Sequence, residues 1–269
     1  MERGGVKVAL WVGAATGLGY TVQRAIKHIR HPHNMPPGRR RFWNKTKWPM
    51  VSAWGLAWAS GTWAFWDELG LEEPGRVSVL GAVALASLAY AFVPGWGGGL
   101  RKVVWVKTPL IAAVWATATT HHPELGWNGI LWAQRFVFIA GLTLPFDIRD
   151  LEVDRHHMDT LPQVTSPDTV LFWSRCLLAS AGLFSLAVWG WRLGQHGVRS
   201  IDAAPLLLAL QSVWALWLLR PKVAMRALTS SKEWLREHKT GWQLDGVLVM
   251  PCVVALALHV MLLMLTQMM

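Results

Sequence analysis

The stretch from Asn128 to Pro162, NGILWAQRFVFIAGLTLPFDIRDLEVDRHHMDTLP, decides the fold class. Its first part, Ile130 to Phe146, is an apolar run broken by few polar side chains, and its second part is a dense group of charges. A run near 20 residues is what a helix needs to cross roughly 30 Å of hydrocarbon. In lipid every backbone N–H and C=O must be paired within its own segment, so such a run reads as a helix. It shows neither the strict alternation of a half-buried strand nor the one-sided stripe of a surface helix.

Working outward, the same kind of block recurs along the chain. Eight spans are predicted, at about 6–27, 49–66, 77–96, 103–120, 128–147, 169–191, 202–219 and 243–267. The fold class expected is all-α, a polytopic transmembrane bundle, and residues 1–269 form a single integral membrane domain with no soluble domain between spans. The first block runs into Tyr20-Thr21-Val22-Gln23-Arg24 without a small-residue cleavage site, so it reads as a retained span.

Loop charge sets the orientation. The loop after the first span carries Arg30, Arg39, Arg40, Arg41, Lys45 and Lys47 without an acid. Arg101 and Lys102 follow the third span, and Arg220, Lys222, Arg226, Lys232, Arg236 and Lys239 follow the seventh. These alternate loops share one side, which the positive-inside rule makes cytoplasmic. The acidic Asp67–Glu73 loop falls outside, as do both termini. A bacterial cytoplasmic membrane is the expected location.

Composition agrees. Of 269 residues 53% are hydrophobic and only 16% charged, and the mean hydropathy is positive. Nineteen tryptophans is a high count, and Trp48, Trp66, Trp127, Trp191 and Trp242 lie near block ends, the pattern of an interfacial aromatic belt. Trp58 and Trp115 lie inside blocks, where they pack or line a ligand. Cys176 and Cys252 fall in apolar blocks and read as buried small residues rather than a disulfide or metal site. The formal charge of +10 sits in loops beside spans, which points to anionic lipid and topology and not to nucleic acid.

The charged part of the opening stretch falls on the cytoplasmic side. Asp147, Asp150 and Asp154 are spaced i, i+3, i+7, which on a helix places three carboxylates on one face. Stacked like charges need an offset. A divalent cation is one, since hard oxygen ligands suit Mg²⁺, which commonly takes a few carboxylates together with phosphate oxygens. Local pairing with Arg149 and Arg155 is the other, and makes the segment a solvated helix end. His156 and His157 are adjacent and point in different directions, which reads as interfacial polarity.

The segment Asp147-Ile148-Arg149-Asp150-Leu151-Glu152-Val153-Asp154-Arg155, followed by Thr160-Leu161-Pro162, resembles the second aspartate-rich motif of the UbiA-type intramembrane prenyltransferase superfamily. In that family the two acidic motifs occupy cytoplasmic loops after the second and sixth spans. A chain lacking the family's first span would place them after spans one and five, in agreement with the orientation above. The resemblance implies a helical bundle around a central cavity opening near the cytoplasmic side. It implies transfer of an isoprenyl group from an isoprenyl diphosphate to a lipophilic acceptor, with Mg²⁺ held by Asp147, Asp150 and Asp154. Arg149, Arg155, Arg101 and Lys102 would be diphosphate contacts, and tryptophans around the cavity would stabilise an allylic cation.

The family's first motif is N-x-x-x-D-x-x-x-D. The corresponding stretch here carries Tyr20, Gln23, Arg24 and His28, and no Asp or Glu occurs from Val6 to Trp66. Arg24, Lys27 and Arg30 either contact phosphate, Arg by bidentate bonds, or set topology, or mark a fold that has lost the transfer reaction. Lys107 either snorkels to the interface or points at the phosphate end of the cavity. Asp245 reads as a helix N-terminal acid or as polarity at the cavity edge. Two rival functions follow: a non-catalytic isoprenoid-binding or scaffold protein of the same fold, and a small-molecule transporter, for which Lys107 and Arg135 speak but no repeat does.

Overall fold

The computed structural model describes residues 3–30, 37–69, 72–92, 100, 103–120, 128–151, 159–196 and 204–229. All regular structure among them is helical. The helices are α1 (Arg3–Arg30), α2 (Pro37–Ala64), α3 (Trp66–Leu69), α4 (Pro74–Phe92), α5 (Val104–Thr120), α6 (Gly129–Arg149), α7 (Leu161–Val164), α8 (Pro167–His196), α9 (Ala204–Leu218) and α10 (Pro221–Leu228). The first seven segments expected to be spans each overlap a helix, and the eighth lies outside the described residues, as does Asp245. Among the described residues two helices, Gly129–Arg149 and Pro167–Gln195, are long and apolar enough to cross a membrane, and Pro205–Leu218 and Val77–Ser87 are shorter apolar helices.

The chain divides into two units. In the first, α1 and α2 form an antiparallel pair. Trp11 Nε1 donates to Thr62 Oγ1 at 2.8 Å, and His28 Nε2 meets Asn44 Oδ1 at 2.7 Å, so numbers rise along α1 as they fall along α2. Between these bonds Gly17 lies under the Trp54 indole, so near that a Cβ would sit 2.6 Å from the ring.

In the second unit α6 is the central element, packed against α5 on one side and α8 on another. The face of α5 turned inward is Thr108, Ala112, Ala116 and Thr120, a stripe at i+4 spacing whose small side chains let backbones approach. Trp132 Nε1 of α6 donates to Thr117 Oγ1 of α5 at 3.0 Å. On the other side, Gln134 of α6 donates to Ser185 of α8, and Ser185 Oγ donates onward to the Ala181 carbonyl at 2.7 Å. The α8–α9 crossing runs over Gly182, where a Cβ would lie 3.1 Å from Ser212 Cβ.

The α6–α8 crossing has a chemical cause. Pro145 lies inside α6 and has no N–H, so the Gly141 carbonyl lacks its helical donor. Ser174 of α8 supplies one, its Oγ donating to Gly141 O at 2.6 Å. Ser174→Ala should therefore cost about 1 kcal/mol. Pro145→Ala restores an N–H to the Gly141 carbonyl, so in that background the Ser174→Ala loss should shrink; unfolding of the two single variants and the double variant in detergent micelles checks this.

In the second unit an apolar core built on Phe138, Leu142, Ile148 and Leu178 also encloses polar groups, and large apolar side chains remain on the outside. Gln134, Ser174, Ser185, Gln211 and Ser212 are buried, while Phe172, Leu183, Trp191, Val213 and Trp217 are exposed. Cys176 corrects an expectation: it is exposed, not buried. It follows Phe172 by one helical turn, on the outward face of α8. Hydropathy alone placed it in an apolar block, but an apolar block has an outside as well as an inside.

Candidate functional site at the end of α6

Helix α6 starts on Asn128, whose side chain accepts from Leu131 N–H at 3.0 Å. It ends at Arg149, with Asp150 as C-cap and its N–H bonded to Phe146 O at 3.0 Å. Asp147 therefore lies in the last helical turn and Asp150 just beyond it. Asp150 is a cap and not an interior position of a longer helical face. Asp154 and Arg155 lie outside the described residues, as do Arg101 and Lys102.

Asp147 is only 3% exposed. Its Oδ1 accepts from Lys107 Nζ of α5 at 2.5 Å. Lys107 thus does not simply reach out to an interface, since its ammonium is engaged on the α6 carboxylate. Both charges stand against the helix dipoles, the Lys near the positive N-terminus of α5 and the Asp near the negative C-terminus of α6. Neither is where local electrostatics would put it, and their contact offsets both penalties. Residues that break a local rule in this way mark sites where something besides stability is at stake.

Asp150 is more open, its side chain 41% exposed. Arg149 grips it from the adjacent position: Nε donates to Oδ1 at 2.8 Å and Nη2 to Oδ2 at 3.0 Å. The same guanidinium stacks 4.8 Å over the Phe146 ring. The expected compensation of Asp150 by Arg149 is therefore realised. Among the described residues no group of three or more His, Cys, Asp and Glu side chains gathers; two of the three aspartates are described.

The Thr160-Leu161-Pro162 segment forms a buried turn packed against α6 and α8. Thr160 caps α7, and its N–H donates to Gln163 Oε1 at 3.3 Å. Thr160 Oγ1 and Gln163 Nε2 are buried and make no hydrogen bond among the described residues.

In the first unit the face Tyr20–Arg24–His28 splits in two. Arg24 Nε donates to Tyr20 Oη at 3.1 Å, and its guanidinium lies 5.1 Å from that ring. His28 is buried at the α1–α2 contact with Asn44, where it serves helix pairing. Gln23 lies on the same helix.

Sequence reading named both Lys107 and Asp147 but did not join them. The available signal was that Lys107 lies near the start of one apolar run and Asp147 near the end of the next, ends that an antiparallel pair brings together. Nor is the Gln134–Ser185 contact between α6 and α8 among the expectations. Comparison of the chain with known protein families, with curated proteins and with solved structures finds no match.

Proposed function

We propose that the chain is a membrane-embedded helical bundle of the UbiA type, of about eight spans, that binds an isoprenyl diphosphate at the cytoplasmic end of α6 and transfers the isoprenyl group to a lipophilic acceptor. The observation that carries this is the gathering of Asp147, Asp150, Lys107 and Arg149 at one end of α6. Acids and bases held together at the mouth of an apolar bundle are the equipment a charged headgroup on a lipid tail requires. The large apolar side chains left exposed, Phe172, Leu183 and Trp217 among them, support a lipid surrounding.

The donor set suits Mg²⁺: two carboxylates one turn apart offer hard oxygens, and each is neutralised by a side chain with a long stem that can transfer to phosphate. Asp147, Asp150 and Asp154 would hold the ion. When bound, it supplies charge neutralisation for the departing diphosphate. Lys107 and Arg149 bind phosphate oxygens, Arg149 with two donors in a fixed fork. The reaction breaks the allylic C–O bond, both electrons leaving on the diphosphate, and forms a bond from the acceptor's nucleophilic atom, which then loses a proton. The donor's tail and the acceptor would lie in the membrane beside the exposed apolar flanks.

The test is diphosphate release by purified protein from farnesyl or geranylgeranyl diphosphate with Mg²⁺ and lipophilic acceptors. Asp150→Asn should lower turnover by about 100-fold or more while leaving the protein folded, as expected for an interaction worth roughly 3 kcal/mol in the transition state. No turnover with any donor, and no retention of isoprenyl diphosphate, would reject the proposal. A second reading has its own observation. Tyr20, Arg24 and His28 engage one another or Asn44 where the family's first acidic motif would stand. A non-catalytic isoprenoid-binding protein would retain the lipid diphosphate without releasing inorganic diphosphate.

A further inference from the structure

We infer that the Lys107 ammonium is a built-in counter-cation that occupies Asp147 and keeps divalent cations off the acidic end of α6 while no diphosphate is present. This rests on the diphosphate-site reading above and adds to it the order in which the site fills. The contact is direct, 2.5 Å between Nζ and Oδ1, with side chains 16% and 4% exposed. Coulomb attraction falls with distance and rises as water is excluded. An incoming divalent cation must therefore displace an ammonium already in contact, and Mg²⁺ sheds its own water reluctantly.

The second carboxylate is occupied as well. Arg149 holds both oxygens of Asp150, at 2.8 and 3.0 Å. Each of the two acids thus has a cation in direct contact, which a metal ion would have to displace. Lys107 gains nothing from its place near the N-terminus of α5, where the dipole opposes it; Asp147 is what makes the position tenable. Its flexible four-carbon stem and compact ammonium can transfer to a phosphate oxygen. That transfer takes the ammonium off Asp147 Oδ1, so the divalent cation binds with the diphosphate or after it, not before.

Mn²⁺ is the probe, titrated into the full-length protein in detergent with free Mn²⁺ read by electron paramagnetic resonance. Lys107→Gln should bind Mn²⁺ at least about tenfold more tightly than wild type. Lys107→Arg, which keeps a cation, should stay at the wild-type level. Adding Asp147→Asn to Lys107→Gln should abolish the gain. Equal Mn²⁺ affinity in wild type and Lys107→Gln overturns the inference. If Lys107→Gln does not fold, Asp150→Asn decides, because Asp150 is partly exposed. An unchanged Mn²⁺ isotherm then supports the inference, and loss of a tight Mn²⁺ site overturns it. Turnover is not read here. A protein without transferase activity whose Lys107→Gln variant gains Mn²⁺ loses the enzyme reading and keeps this one.

Discussion

Replacing Lys107 by Met is expected to destabilise the second unit by about 3–5 kcal/mol, the usual cost of removing one partner from a buried ion pair. Asp147 is almost fully enclosed, so no water replaces the lost ammonium. The carboxylate must either stay charged without that ammonium or take up a proton. For an ordinary aspartic acid at pH 7 the second course costs about 4 kcal/mol, which falls within that range. The double variant Lys107→Met with Asp147→Leu should recover most of the stability, because well-packed apolar residues replace a buried pair at little cost. Unfolding in mixed micelles, followed by tryptophan fluorescence, separates these outcomes. Equal losses in the single and double variants would show that the residues contribute by packing and not by charge.

The second large effect is expected at Gly141. A Cβ there would lie 2.9 Å from Leu178 Cγ, 3.1 Å from the Ser174 carbonyl oxygen and 3.2 Å from Leu177 Cβ. Leu178 is fully buried, and a backbone carbonyl cannot turn aside as a side-chain tip can. Gly141→Ala should thus cost about 1–3 kcal/mol, and Gly141→Leu more, since it forces α6 and α8 apart. That separation also lengthens the Ser174 Oγ to Gly141 O bond, leaving the carbonyl exposed by Pro145 without a donor. Gly182→Ala, which meets Ser212 Cβ at 3.1 Å and no backbone, should be milder. Thermal denaturation of the three variants side by side gives the order.

Much of the architecture was legible before any coordinates. Runs of apolar residues of the right length gave the all-helical class, because a chain without water to satisfy its backbone has few alternatives. The acids at the end of the fifth run, with the arginine beside Asp150, could be read directly, since Arg149 and Asp150 are neighbours in the chain. The contacts between distant helices were not legible. Lys107 and Asp147 stand 40 residues apart and Gln134 and Ser185 stand 51 apart. A helix that is apolar all round carries no stripe to say which face turns inward. For that reason Cys176 was expected inside and stands outside, and His28 was grouped with Tyr20 and Arg24 though it packs toward Asn44.

The sequence by itself determined that this chain forms helices, where most of them lie, and that carboxylates and cations gather at the end of α6. Those properties follow from composition within one segment and from backbone hydrogen bonding that closes within it. Only the tertiary structure decided that the Asp147 carboxylate is joined to the Lys107 ammonium and enclosed, and that α6 and α8 meet at Gly141. Those depend on the register between helices, which is set by where small side chains let two backbones approach and by which carbonyl a proline leaves in need of a donor.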